Sequence, residues 1–322
     1  MARGLDVEQW RDELVRAYKD GEEAHARTLM MRPGPRKIRA LLESMLEDPD
    51  ALVRQAAAFG LGQLGGAASV RRLEQQLSLE ETRGDYDGAS VVEAITHALG
   101  RLDEAGSRAP LVRRLRRLAP GKSVLSEVNP LARALWRYRH PELLPVVREA
   151  LEKLALSALN SLHGLLLLLE KSPEELRTWA QDMSVPVEHK TEVLTVLEEE
   201  VPDAWVPALP AFISVAQALI DAAVRQDGEA AYYCERLLSF FLSHKERLLP
   251  VLPQEARSEL RAVARRLLAA TSLNCSVRAA VLLAHVGAPE DAELIKAHRP
   301  TEPVLAKVFD DAARALRGRQ KE

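Results

Sequence analysis

The sequence is poor in cysteine and in aromatic residues. Its 322 residues include two cysteines, Cys234 and Cys275, and 4% aromatic residues. Two distant cysteines cannot build a disulfide framework or a zinc site, so both are expected to be reduced, buried thiols. Because strands favour aromatic and β-branched residues, the low aromatic share and the abundance of Ala, Leu, Arg and Glu predict helices.

The chain also lacks a marked excess of charge of either sign. Its formal net charge is −3, from 44 basic and 47 acidic residues. A dedicated nucleic-acid binder usually carries a basic excess, because its affinity comes largely from the neutralisation of phosphates. Nucleic acid is therefore a partner that the composition permits but does not favour.

No apolar run has the length and purity expected of a membrane-spanning helix, which needs about 20 largely apolar residues. Residues 154–169 are interrupted by Asn160, and residues 204–220 contain two prolines. The first residues run into charged helical sequence without the apolar stretch of a signal peptide. We expect a cytoplasmic protein with no membrane partner.

A helical hairpin is predicted in residues 36–66. Apolar residues recur with the spacing of one helix face at Ile38, Leu41, Leu42, Met45 and Leu46. Asp48-Pro49-Asp50 breaks this helix and supplies a cap for the next one. Small residues line the second helix, which allows close approach of neighbouring helices, and Gly65-Gly66 ends it.

The same pattern recurs at intervals in the high thirties. Residues 98–102 and 134–138 repeat the pattern of residues 60–64, and residues 276–287 repeat it near the C-terminus. Such a period is typical of paired-helix repeats. The stretch from Asp48 to Gly65, DPDALVRQAAAFGLGQLG, resembles the turn and second helix of a bacterial HEAT repeat.

The resemblance implies an all-α fold, an α–α superhelix (solenoid) of about seven to eight HEAT-like helical hairpins. We expect a single solenoid over residues 1–322. Its expected parts are an N-terminal cap (1–35), clear repeats (36–140), degenerate repeats (141–270), a clear repeat (271–298) and a C-terminal cap (299–322). In the degenerate part, helices are predicted near residues 187–200, 208–226, 228–244 and 254–270, and a capping box at Ser172–Glu175 starts another.

Three short motifs resemble ligand sites but lack the required context. Gly60–Gly65 fits the dinucleotide pattern G-x-G-x-x-G, yet it lies in and after a predicted helix and does not follow a strand. Residues 121–123 lack the earlier glycine of a P-loop, and residues 85–88 lack the glutamate of a calcium loop. Histidine pairs and nucleophile elbows are also missing from the sequence. We expect no cofactor, no metal site and no enzymatic activity.

Residues 101–139 are strongly basic, with ten basic and three acidic residues. Four arginines lie opposite the apolar face of a predicted first helix: Arg113, Arg114, Arg116 and Arg117. They form either a solvated outer face or a patch for an acidic protein surface, a phosphate-bearing ligand or nucleic acid. Together with the acidic residues of 188–203, they suggest a solenoid that is basic toward its N-terminal half and acidic toward its middle.

The resemblance places the candidate interface on the second helices, because these usually line the concave side of HEAT solenoids. The predicted ridge consists of Gln55, Phe59, Gln63, Glu93, His97, Arg101, Arg133 and Arg137. Phe59 lies off the predicted core face and is a candidate anchor, although it can equally pack against the next repeat. Trp136 is expected in the core. Residues 79–88 are expected to form a long, charged connection that can carry partner contacts.

The predicted function is a non-enzymatic protein–protein interaction scaffold or adaptor. One alternative is a nucleic-acid-binding protein similar to the HEAT-like DNA glycosylases, which the charge balance and the first-helix position of the arginines disfavour. The other is a bilin-lyase-like enzyme, since some lyases use similar repeats. No residue pattern of the chain points to that activity.

Overall fold

The structure is a computed structural model that describes residues 6–31, 35–102, 105–121, 124–156, 159–225 and 228–318. Within these ranges every regular element is helical, which confirms the all-α fold. The chain divides into two compact units, residues 1–156 (unit 1) and 157–322 (unit 2). The two units are described separately, and the single continuous solenoid stays a prediction.

Unit 1 contains three first-helix/second-helix pairs, α3–α4, α5–α6 and α7–α8. The second helices α4, α6 and α8 lie side by side in that order, as in an α-solenoid. The α-helices described in this unit are α1 (Val7–Lys19), α2 (Glu23–Met31), α3 (Pro35–Met45), α4 (Ala51–Leu64), α5 (Gly66–Glu81), α6 (Tyr86–Arg101), α7 (Arg108–Arg117), α8 (Val124–Arg137) and α9 (Leu143–Leu154).

Unit 2 repeats this arrangement, with second helices in the order α10, α12, α14, α17 and α19. A 3-10 helix, Asp203–Ala208, leads into α13. The α-helices described in this unit are α10 (Ser161–Glu170), α11 (Pro173–Gln181), α12 (Val187–Leu197), α13 (Leu209–Arg225), α14 (Glu229–Ser243), α15 (Lys245–Leu248), α16 (Gln254–Leu267), α17 (Leu273–Val286), α18 (Asp291–Ala297) and α19 (Pro303–Gly318).

The second helices of unit 2 run parallel to one another. The thiol of Cys275 near the start of α17 donates to the carbonyl of Ala231 near the start of α14, at 3.1 Å. At the other end of α14, the hydroxyl of Ser243 donates to Glu198, which follows α12, at 3.1 Å. The starts of α12, α14 and α17 therefore lie along one edge of the row.

Small residues let neighbouring second helices approach closely, as predicted. A Cβ atom on Gly100 would lie 2.7 Å from the Cβ of Ala134, and one on Gly62 would lie 3.0 Å from the Cβ of Ala98. These glycines therefore set the distance between α4 and α6 and between α6 and α8, because any larger residue would push the helices apart.

A buried cation in a second helix holds the turn that precedes it. Arg54 in α4 donates to the carbonyls of Asp48 and the next residue, at 2.9 and 2.8 Å, and its guanidinium also pairs with buried Glu80 at 2.8 Å. In α12, buried Lys190 donates to the carbonyl of Asp182 at 2.8 Å. Both cations occupy the fourth position of their helix.

The connection between α5 and α6 is shorter than expected. Helix α5 continues to Glu81 and α6 begins at Tyr86, so the prediction of a long connection over residues 79–88 is wrong. The last turn of α5 stays helical because Glu80 and Glu81 are held by ion pairs to α4 and α7. Asp85 then caps α6 by accepting from the backbone N–H of Gly88 at 2.6 Å.

Among the described residues, the 3-10 helix Asp203–Ala208 and α13 together form a helical stretch that is long and apolar enough to cross a membrane by length and composition alone. Half of its apolar window is buried inside unit 2, where Phe212 and Ile213 have no exposed surface. Helix α13 packs against α14 and α16. The same length and composition are found in the core helices of all-α units.

Candidate functional site

The exposed face of α4, α6 and α8 carries most of the predicted ridge. Glu93 and His97 are exposed, and Gln55 donates from Nε2 to the hydroxyl of Ser90 at 2.9 Å, which links α4 to α6. The partly exposed members are Gln55, Gln63, Arg101, Arg133 and Arg137. The ridge is therefore polar, with charges of both signs.

Phe59 does not belong to this exposed face. It is 7% exposed, and its ring centroid lies 5.7 Å from that of Tyr18 in α1. The prediction that Phe59 lies away from the core is wrong, because α1 and α2 pack against α4. The sequence also allows Phe59 to pack against the next repeat, but its ring contacts Tyr18 of the N-terminal helix α1.

The N-terminal helices also reach α6. Arg101 donates from Nη1 to Glu23 at the start of α2, at 3.0 Å. Partial burial opposes ionisation of Glu23, but the Arg101 guanidinium holds the pKa of this carboxyl below its usual range. Tyr18 therefore packs on Phe59 of α4 and Glu23 pairs with Arg101 of α6. Glu93 and His97 remain exposed.

The four arginines of α7 do not form one solvated face. Arg114 is 2% exposed and donates to Glu127 at 2.9 Å and to Glu81. Its assignment to the exposed basic patch is therefore wrong. Arg116 is exposed, as predicted. Arg114 lies inside because two carboxylates from other helices compensate its buried charge.

Two exposed arginines of this patch, Arg113 and Arg117, pair with carboxylates of the neighbouring first helix, α5. Arg113 donates to Glu74 at 2.7 Å, and Arg117 donates to Glu81 at 3.0 Å. These partners lie 39 and 36 residues earlier in the chain, about one repeat. A count of charge within residues 101–139 misses them, whereas a search one period upstream of each arginine would have found them.

Sequence reasoning missed an open cavity of about 380 Å³ beside α12 and α14. It is lined by Leu159, Glu188, Thr191, Glu192, Glu229 and Tyr232. Three of these residues are glutamates, and the Tyr232 side chain is 54% exposed. The available signal was the common position of Glu188 and Glu229 in the first turns of two successive second helices.

Like charges meet at this cavity. The contact with the side chain of Glu188 raises the pKa of Glu229. Burial raises the pKa of Glu192, although the Ser161 hydroxyl donates to this carboxyl at 3.3 Å and nearby Arg236 opposes the shift. Carboxylates held this close favour a proton or a cation between them.

Metal coordination is not indicated where the structure can be described. In the described ranges, no group of three or more His, Cys, Asp or Glu side chains is placed to hold a metal ion. A carboxylate pair beside an aromatic face, as Glu188 and Glu229 lie beside Tyr232, can bind an organic cation such as an ammonium or guanidinium group.

The comparison with protein families identifies one segment. Residues 38–66, which comprise most of α3, all of α4 and the turns that bound α4, match the family model of the HEAT repeat. No curated protein sequence matches the chain. The matched segment covers all but the first two residues of the hairpin predicted at 36–66, and each unit packs its second helices side by side. The chain therefore contains a HEAT repeat at residues 38–66.

Proposed function

We propose that this protein is a non-enzymatic scaffold that binds another protein along the exposed face of its second helices. HEAT repeats generally act as protein-interaction modules. Each repeat packs against the adjacent repeats, so a row of packed helices offers a long, rigid surface. A rigid surface loses little conformational entropy on binding, which favours affinity.

The contrast between paired charges on a first helix and exposed charges on the second helices supports the assignment of the binding surface to the second helices. Three arginines of first helix α7, Arg113, Arg114 and Arg117, pair with carboxylates of α5, so much of the charge of this helix is compensated within the protein. Glu93 and His97 of the second helix α6 are exposed, and residues of the second helices α12 and α14 line the acidic cavity of unit 2. Charged groups exposed in this way steer a partner and set its register.

Nucleic acid is supported less well by the same contacts. Binding to nucleic acid draws its affinity from cations that can neutralise phosphates. In α7, Arg113, Arg114 and Arg117 already contact carboxylates. A phosphate would have to displace those carboxylates, which lowers the gain from binding.

The proposal is tested by cross-linking the tagged full-length chain in its host cells, followed by purification with nuclease and mass spectrometry. The expected result is a protein partner that survives nuclease and is cross-linked to the second helices, for example through the carboxyl of Glu93. The doubly substituted variant Glu93→Arg, Arg137→Glu should lose or weaken this partner, while the matched first-helix variant Arg116→Glu retains it. Recovery that depends on nucleic acid would contradict the proposal.

A further inference from the structure

Three exposed apolar side chains lie at the starts of second helices in unit 2. Tyr232 in the first turn of α14 is 54% exposed, Leu273 at the start of α17 is 48% exposed, and Val304 at the start of α19 is 72% exposed. Single exposed apolar residues are common on protein surfaces. Three of them on the same edge of one helix row are a feature that binding surfaces share.

Contacts at both ends of the helices place these residues along one edge. The contact between Cys275 and the carbonyl of Ala231 aligns the starts of α17 and α14. Gly287, which follows α17, lies against the side chain of Leu316 near the end of α19, so these helices also run in the same direction. With roughly 8–10 Å between packed helices, the edge from α12 to α19 spans about 30 Å.

The same edge is acidic. Glu188 and Glu229 stand in the first turns of α12 and α14, and exposed Glu302 precedes α19. Exposed Arg225 ends α13 close to this edge, which leaves the acidic groups in excess. Lys190 does not offset them at the surface, because it is buried and donates to the carbonyl of Asp182.

We propose that this edge, called the unit 2 strip (Glu188, Glu229, Tyr232, Leu273 and Val304), docks a basic amphipathic segment of the partner protein. A lysine or arginine of that segment enters the cavity between Glu188 and Glu229 and lies against the ring of Tyr232. Apolar residues of the same segment cover Leu273 and Val304. This inference rests on the proposed scaffold function and names the chemistry of its partner.

Charge complementarity and length both favour this occupant. Glu188 and Glu229 repel each other in the absence of a cation, and a bound ammonium or guanidinium group relieves that repulsion. An extended segment covers about 3.3–3.6 Å per residue, so about nine residues span the strip. Residues two apart lie on the same side of an extended segment, so a basic residue that enters the cavity and apolar residues at later positions of the same alternation can all face the strip.

The test uses a fluorescent peptide of lysine and leucine, its counterpart of glutamate and leucine, and the full-length chain in an anisotropy titration. The basic peptide is expected to bind, and the acidic one is not. Glu229→Lys and Leu273→Asp should each weaken binding of the basic peptide about tenfold. Val251→Asp is the matched control, because Val251 is 58% exposed beyond the opposite end of α14. This variant should bind like the unmodified protein.

Binding of the acidic peptide distinguishes loss of the binding site from loss of folding as the cause of weaker binding by Glu229→Lys. The Glu229→Lys variant should bind the acidic peptide more tightly than the unmodified chain does, which an unfolded protein would not do specifically. Failure of the basic peptide to bind overturns the proposal, as does an equal loss with Val251→Asp. If the cross-linked partner is captured through the second helices but is insensitive to Glu229→Lys and Leu273→Asp, the scaffold function stands and the strip proposal fails.

Discussion

The basic first helix of unit 1 and the acidic helix starts of unit 2 are both dense in charge of one sign, yet their surroundings differ. In α7, the charges of Arg113 and Arg117 are matched by carboxylates about one repeat earlier. At the starts of α12 and α14, Glu188 contacts a second carboxylate, that of Glu229. A local run of charge in a helical repeat protein therefore indicates a charged surface only after the residues one repeat away along the chain are included.

The largest effect is expected where a matched charge is fully buried. Arg54→Met leaves the carboxylate of Glu80, which has no exposed side-chain surface, without its main partner, although Arg83 still contacts it. We expect a loss of about 3 kcal/mol in the free energy of unfolding, measured by urea denaturation. Arg27→Met is the control, because its ion pair with Glu23 is largely exposed and should contribute less than about 1 kcal/mol. Equal losses for both variants would contradict the ion-pair account.

A comparison within α7 sharpens the contrast between buried and exposed arginines. Arg114→Met should destabilise the protein by about 1–2 kcal/mol, less than a fully buried pair, because its partners Glu81 and Glu127 are partly exposed. Arg116→Met should change stability by less than about 0.5 kcal/mol, since this side chain is exposed. Thermal unfolding followed by circular dichroism measures both. A greater loss of stability for Arg116→Met than for Arg114→Met would contradict the assignment of Arg114 as the buried, ion-paired arginine.

A smaller effect of opposite sign is expected at the acidic cavity. Burial raises the pKa of Glu192 in the folded protein, so its ionised form costs stability at neutral pH. Glu192→Gln should therefore raise Tm near neutral pH. As the pH falls through the raised pKa toward the ordinary glutamate value of about 4.3, the carboxyl becomes protonated and this gain should disappear.

The control for the pH experiment is Asp291, whose carboxyl is matched. Burial opposes its ionisation, but Arg261 and Arg265 hold the pKa of Asp291 below its usual value. Its stabilising contribution is present above the unfolded-state pKa and is lost as the pH falls through the lowered folded-state pKa. Asp291→Asn should therefore lower Tm at neutral pH. The same sign for Asp291→Asn and Glu192→Gln would contradict the distinction between a carboxyl whose pKa is lowered by arginines and one whose pKa is raised by burial.

Local sequence signals predict the helices and their ends well. The capping box at Ser172 and Glu175 is present, and Asp50 caps α4 by accepting from the backbone N–H of Leu52 at 2.8 Å. Helices predicted near 187–200, 208–226, 228–244 and 254–270 are found at 187–197, 209–225, 229–243 and 254–267. Both cysteines are buried thiols, as expected. Periodicity and capping are local properties, which explains this agreement.

The errors concern side chains whose surroundings are set by residues far along the chain. Phe59 is buried because Tyr18 of α1 packs on it, and no periodicity within α4 indicates that contact. Arg114 is buried because Glu81 and Glu127 come from other helices. The acidic cavity depends on the parallel alignment of helix starts in successive repeats. Comparison of the chain with itself, shifted by about one repeat, could have indicated the contact of Arg114 with Glu81 but not its contact with Glu127, which lies 13 residues away.

One anisotropy experiment tests directly whether the partner surface lies on the second helices. It uses the full-length chain near physiological salt, with the lysine–leucine peptide and a short DNA duplex as probes. If the second helices present the partner surface and the carboxylates paired with Arg113, Arg114 and Arg117 keep these arginines from phosphate, the peptide binds and the duplex does not. Tight, salt-sensitive binding of the duplex that is lost in the doubly substituted variant Arg116→Glu, Arg117→Glu would contradict the account. Such a result would place the functional surface on the first helices.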